Sequence, residues 1–324
     1  MSSTGEINPC ISVVMSVWNA RATVARAIES ILGQTFKDFE FIIVDDGSDD
    51  GSAGALKELA SRDSRIRIFR QSNTGLTRAL VTGCAEARGK WIARQDADDW
   101  SEPRRFERCL ALAEKYPSCA MISSWADYRG PAGELLEVVR RAEDPDEATD
   151  GLLHRQMGPS AHGSVMFRRD AYEQAGGYRP EFYFGQDSDL WLRMALLGQM
   201  ACVQESLYHY TLSPGAISGK FSDVQRRFGE LGQLCHAARL KGEDESLFLN
   251  ELMALSADVR HKRPEGTRRA RAGSNYRIGV QLARRGDPAA SHYFREALRL
   301  HPLHWRALVR LLFLSAGGGV SRKE

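Results

Sequence analysis

Phe39-Glu40-Phe41-Ile42-Ile43-Val44-Asp45-Asp46-Gly47-Ser48 joins a short, almost continuous apolar run to an acidic turn. Six such residues are too few for a stable helix and are rich in β-branched and aromatic side chains, so Phe39 to Val44 reads as a buried strand. Working backward, Val24, Ala27, Ile28, Ile31 and Leu32 repeat at helical spacing with Gly33 placed to end the helix, and Ile11 to Val17 is another buried strand. Working forward, Ala53 to Ala60 reads as helix, Ile66 to Phe69 as a short strand, Thr77 to Ala87 as helix ending near Gly89, and Trp91 to Gln95 as a fourth strand. Strand and helix alternate throughout, which is the pattern of an α/β sheet with crossover helices.

Beyond Pro103, Arg104 to Lys115 carries helical spacing, and Ala120 to Trp125 and Leu135 to Val139 read as strands on either side of Gly130-Pro131-Ala132-Gly133. The sheet is therefore expected to become mixed. From Ser222 the chain turns helical and Arg-rich, placing a boundary near 215 to 225, with domains at 1–220 and 221–324. Within the second, Ile278, Gly279, Leu282, Ala290, Phe294, Ala297, Leu298 and Pro302 loosely match one degenerate tetratricopeptide-like unit. A single unit lacks neighbours on which to stack, so plain helix-pair packing is favoured over a partner-binding array.

The 324 residues, 43% hydrophobic and 27% charged, suffice for one large core or two smaller ones. Forty-four Lys and Arg against 42 Asp and Glu net only +2, so binding driven by neutralising nucleic-acid phosphates is not expected. The six cysteines, Cys10, Cys84, Cys109, Cys119, Cys202 and Cys235, form no C-x-x-C pair and read as reduced core thiols. Met1 to Cys10 has no basic residue, and Ile11 to Trp18 is too short for a secretory leader. These features set the expectation of a cytoplasmic protein, at most peripheral at the inner face of a membrane.

An open α/β sheet binds ligands beyond the carboxyl ends of its strands. Asp45-Asp46 follows one predicted strand, Asp96-Ala97-Asp98-Asp99 another, and Gln186-Asp187-Ser188-Asp189 opens a helix. A D-x-D can place two carboxylates near one hard cation, since Mg²⁺ takes a few protein oxygens together with substrate phosphates. Taken singly, each cluster is as readily a solvated or capping turn. Together, in this order, they outline a site for a metal-chelated polyphosphate.

Ile11-Ser12-Val13-Val14-Met15-Ser16-Val17-Trp18-Asn19, Val44-Asp45-Asp46-Gly47-Ser48, Asn73-Thr74-Gly75-Leu76, Ile92-Ala93-Arg94-Gln95-Asp96-Ala97-Asp98-Asp99, His162-Gly163-Ser164-Val165-Met166-Phe167-Arg168-Arg169, Gly176-Gly177-Tyr178 and Gly185-Gln186-Asp187-Ser188-Asp189-Leu190-Trp191-Leu192-Arg193 together resemble the family 2 inverting glycosyltransferases of the GT-A fold. The resemblance covers about residues 9 to 218 and leaves the helical tail outside. It implies a Rossmann-like mixed sheet with flanking helices, followed by an α-helical C-terminal region. It also implies transfer of a sugar from a nucleoside diphosphate, UDP above dTDP or GDP, to a hydroxyl of a glycan or lipid-linked acceptor, as in polysaccharide biosynthesis.

Carried over residue by residue, the resemblance sets Ser16 and Trp18 beside the base and gives Asp46, supported by Asp45, the pyrimidine N–H. Asn73 and Arg78 lie near the nucleotide. Asp96 serves the ribose or metal waters, Asp98 holds Mg²⁺ or Mn²⁺, and Asp99 orients the loop. Asp187 occupies the position of the general base. His162 and Gln186 are candidates for contact with acceptor or donor, and Asp189 for a local structural role.

Three departures bear on this reading. Gln186 stands where an acidic residue usually precedes the base, which removes a like charge and is expected to make Asp187 more acidic. Val81 replaces a common asparagine, and His209 falls out of register with the basic group that relatives offer to the diphosphate. A basic stretch, Arg260, Lys262, Arg263, Arg268, Arg269 and Arg271, could approach anionic headgroups, giving peripheral membrane contact, although a solvated helix end has the same composition. Two rivals are a non-catalytic nucleotide-sugar-binding or assembly protein on the same fold and a sugar-phosphate nucleotidyltransferase. The latter lacks support because Ile11 to Ala22 contains no glycine-rich basic loop.

Overall fold

A computed structural model describes residues 8–213, 222–262 and 268–315. The first half alternates as expected: β1 (Ile11–Val17), α1 (Val24–Leu32), β2 (Phe39–Asp45), α2 (Ser52–Ala60), β3 (Ile66–Arg70), α3 (Leu76–Ala85) and β4 (Trp91–Asp96). Then follow β5 (Trp100–Ser101), α4 (Arg105–Lys115), β6 (Cys119–Arg129), β7 (Leu135–Val139), α5 (Pro145–Arg155), a 3₁₀ turn (His162–Ser164), β8 (Met166–Arg168), α6 (Arg169–Gln174), α7 (Gln186–Met194) and β9 (Gln199–Thr211). Helices α8 (Ser222–Lys241), α9 (Ser246–Lys262), α10 (Arg268–Arg284), α11 (Ala290–Leu300) and α12 (Trp305–Ser315) complete the order.

Among the described residues, all nine strands belong to one sheet in the order β3-β2-β1-β4-β8-β6-β9-β5, with β7 paired to β6. The first four strands are parallel, and β8 runs antiparallel to both β4 and β6, so the sheet is mixed. Strands β1, β2 and β4 have no exposed residue, which is why both of their faces are apolar in sequence. Helices α1, α2 and α4 cover one face around Val13, Met15 and Phe41, while α3, α5 and α7 cover the other around Val14, Ile42 and Trp191. The strand order reverses between β1 and β4, so the ligand crevice of such a sheet opens at their carboxyl ends.

The chain divides into two compact units. Within the described residues, one takes in 8–126, 139–210 and 228–257, and the other 127–138, 211–213, 222–227 and 258–315. Most of α8 and α9 thus belongs to the unit that holds the sheet. In the other unit, Ile278 and Leu282 of α10 pack on Ala290, Phe294 and Ala297 of α11, the residues of the repeat-like pattern. Gly279 is forced by this contact, because a Cβ there would lie 2.7 Å from the Phe294 ring. Among the described residues no helix is long and apolar enough to cross a membrane.

Candidate active site

The carboxyl ends of β1, β2 and β4 bring the acidic turns together. In register, Ser16 of β1 lies opposite Val44 of β2 on one side and Asp96 of β4 on the other. Trp18, one residue past β1, is 47% exposed, so its ring is available for stacking and is no core residue.

The Asp45–Ser48 turn is a fastening. Asp45 Oδ1 accepts from Ser48 N at 3.0 Å, while its buried Oδ2 has no hydrogen-bond partner and lies 3.5 Å from Arg70 Nε. Asp46 is 1% exposed, and its carboxylate accepts from Gln71 Nε2 (2.8 Å), Thr74 N (2.9 Å) and Gly75 N (2.8 Å). It therefore fixes the loop that carries Asn73. Gly47 is required there: its φ is +75°, and a Cβ would stand 2.8 Å from Asn73 N. Arg78 is exposed and lines a cleft of about 250 Å³ with Gln71, Thr74 and Val81.

At the end of β4, Asp98 is reached by solvent, whereas Asp99 is fully buried. Burial against surrounding protein and then the charge of Asp96 push the Asp98 carboxyl up to about 6. The Tyr208 hydroxyl donates to Asp99 Oδ2 at 2.8 Å and accepts from Asp96 N at 3.2 Å, so Asp99 and Tyr208 set the course of this loop. Arg26 donates to the Asp98 carbonyl at 3.1 Å and lies 4.0 Å over the Trp100 ring.

Arg94 links this loop to the later segments. Its side chain is fully buried yet makes four bonds: Nη1 to the carbonyls of Val14 (2.5 Å) and Gln95 (3.1 Å), Nη2 to Asp96 Oδ1 (2.7 Å), and Nε to His162 Nε2 (3.2 Å). Because a guanidinium only donates, His162 Nε2 is an acceptor here, and burial followed by the Arg94 charge hold the imidazole neutral. The Tyr178 hydroxyl stands 2.7 Å from the same nitrogen.

Asp187 lies in the first turn of α7, whose preceding Gly185 adopts φ +70°. Its Oδ1 accepts from Ser188 N at 2.9 Å, but burial outweighs this bond and raises the carboxyl, with Asp96 adding to the rise and Arg94 opposing it. The expected loss of a like-charged neighbour at Gln186 is thus corrected: Asp96, brought in from β4, supplies one. Gln186 itself is buried at 6% exposure. Asp189, by contrast, is structural, since Arg179 and Arg193 both donate to its carboxylate. His209 is stacked on Trp100 at 4.7 Å and lies 2.6 Å from Glu102 Oε1, committed to the sheet edge.

The geometry thus gathers Ser16, Asp96, Asp98 and Asp187 around one crevice, with Arg94, Tyr178 and Tyr208 as groups the sequence reading did not assign. Arg94 carried a signal, a charge in the middle of a buried strand. The profile described as glycosyl transferase family 2 matches residues 12–176, half of the chain. The chain belongs to this family. Its glycosyltransferase relatives include EpsE of Bacillus subtilis, named as a candidate glycosyltransferase, 34% identical over 62% of this chain and 72% of its own length. The chondroitin synthase of Pasteurella multocida is 26% identical over 68% of this chain, which spans only 22% of that enzyme. Among solved structures, S. aureus TarS 1-349 in complex with UDP-GlcNAc superposes with a TM-score of 0.59 over 95% of this chain and 92% of that one, at 13% identity, a likeness of fold. The family match ends ahead of α7, so the placement of Asp187 rests on the geometry above. Of the basic stretch between 260 and 271, residues 263–267 lie outside the described residues.

Proposed function

We propose that this glycosyltransferase is a metal-dependent inverting enzyme that moves a sugar from a UDP-sugar to a hydroxyl of a glycan or lipid-linked acceptor in polysaccharide biosynthesis, with Asp187 as general base. The observation that carries the reading is the acidic loop after β4 at the switch point of the sheet, where Asp96 lies opposite Ser16 and is held by Arg94. The UDP-GlcNAc held by TarS and the polysaccharide named in chondroitin synthase support the donor and product classes.

The base rests on Trp18 and Ser16, beside the loop that the buried Asp46 fastens. Asp96 and Asp98 would hold Mg²⁺ or Mn²⁺, which supplies positive charge to the departing diphosphate. The donor set fits: it is all oxygen, and Asp98 is reached by solvent with Asp96 near enough to help raise its carboxyl. Among the described residues no group of three or more His, Cys, Asp or Glu side chains could hold a metal by itself, so the rest of the ion's ligands would have to come from substrate and water. Asp187 takes the proton of the acceptor hydroxyl while that oxygen attacks the anomeric carbon opposite the leaving group, and one displacement inverts the centre. A carboxyl raised above its usual range is a stronger base for this task. Arg94 holds Asp96 in place through its Nη2.

Calorimetry of UDP with and without Mn²⁺, followed by UDP release from a panel of UDP-sugars, tests this. Metal-dependent binding that Asp98→Ala removes, together with turnover, is expected. No UDP binding at any metal concentration would refute the UDP assignment, and binding without turnover on any donor and acceptor would favour the non-catalytic reading.

A further inference from the structure

Helix α12 turns an apolar stripe outward. Its inner side, Ala307 and Leu311, packs with the α10–α11 pair, and Ala307 is fully buried. The outer side of such a helix is normally polar. Here Trp305 (66%), Leu312 (58%) and Phe313 (66%) are exposed, as are Leu308 and Val309, and Leu303 just before the helix is 84% exposed. At 100° per residue, Leu308, Leu312, Trp305, Val309 and Phe313 form one continuous stripe, with Arg306 and Arg310 along its edge.

Charge narrows the choice of occupant. Residues 258–324 contain fifteen Lys and Arg against five Asp and Glu, a net +10 in a chain whose total is +2. Arg284 and Arg285 of this unit are exposed together with Arg306 and Arg310. A second copy offered to the stripe would bring the same positive charge, which opposes self-association. With Trp and Phe beside arginines and no acidic residue in α12, we infer that this face docks on an anionic lipid surface, the helix lying in the headgroup region. Its 11 residues are too few to span. This inference is independent of the transferase reading.

The test is co-sedimentation of the full chain with phosphatidylcholine vesicles and with vesicles of phosphatidylcholine and phosphatidylglycerol, at low and high salt. Binding to the anionic vesicles alone is expected. Leu312→Ser/Phe313→Ser should weaken it at least about tenfold, and Arg306→Gln/Arg310→Gln about fivefold per arginine at low salt. Circular dichroism and an unchanged UDP affinity verify that both variants fold. Absence of binding to anionic vesicles, or binding that neither double variant changes, overturns the inference. So does concentration-dependent dimerisation abolished by Leu312→Ser/Phe313→Ser in a chain that ignores vesicles.

Discussion

Replacing Tyr208 by Phe removes one oxygen atom from a fully buried ring and leaves its packing in place. That oxygen holds two ends of the acidic loop, donating to Asp99 Oδ2 at 2.8 Å and accepting from Asp96 N at 3.2 Å. A buried hydrogen bond to a charged group contributes about 1.5–3 kcal/mol and a longer neutral one about 0.5–1 kcal/mol, so Tyr208→Phe should cost about 2–4 kcal/mol. Urea unfolding at pH 7.5 of wild type, Tyr208→Phe, Asp99→Asn and the double variant closes a double-mutant cycle. A coupling of at least about 1 kcal/mol between the two positions is expected, as for groups in direct contact. Because the same loop carries Asp98, Mn²⁺-dependent UDP affinity should fall in Tyr208→Phe as well. A loss below about 0.5 kcal/mol with additive single effects would refute the claim that Tyr208 sets the loop. Gly163→Ala attacks the same point sterically, since its Cβ would lie 1.8 Å from that hydroxyl.

Asp46→Asn keeps the shape of the side chain but removes the charge that accepts from Gln71, Thr74 N and Gly75 N; a stability loss of about 2 kcal/mol and weaker UDP binding are expected in unfolding and calorimetric assays. Trp18→Ala should weaken UDP binding by about 1–3 kcal/mol with little change in melting temperature, because the ring is 47% exposed. Asp98 titrates from 3.8 when unfolded to about 6 when folded, so the proton-bound form favours the fold. That contribution is present below 3.8 and lost as pH rises through about 6. Asp98→Asn should accordingly raise the unfolding free energy of the metal-free protein in urea at pH 8, by roughly 1 kcal/mol after solvent screening, and leave it nearly unchanged near pH 4. In the wild type, Mn²⁺ affinity should drop as pH falls below about 6, where Asp98 takes up its proton.

The parallel half of the sheet was legible because β1, β2 and β4 are apolar on both faces and bounded by clear turns. Strand β9 escaped notice because Gln204, Glu205 and Ser206 interrupt its thirteen residues, and β8 because three residues carry no period. Helix α5 had a readable start, Asp144 before Pro145, whose carboxylate accepts from Asp146 N and Glu147 N. In the site, the acidic positions could be named because each follows a strand or opens a helix. The connections among them could not. Arg94 reaches Val14 and His162, 80 and 68 residues away, and Tyr208 reaches Asp99 across 109. Such partners are set by the order β1-β4-β8 and not by spacing along the chain. The same holds for the acidity of Asp187, which the local sequence pointed toward a lower value and which burial, helped by Asp96 of β4, raises.

The central claim is a single inverting displacement driven by Asp187. The most direct test is proton NMR of the sugar first released when wild type and Asp187→Asn, with Mn²⁺, hydrolyse an α-linked UDP-sugar chosen from the donor panel. The β anomer should appear first with the wild type, and Asp187→Asn should slow its release by about 10²–10⁴-fold while still binding UDP. First release of the α anomer, or an undiminished rate in Asp187→Asn, would contradict the account.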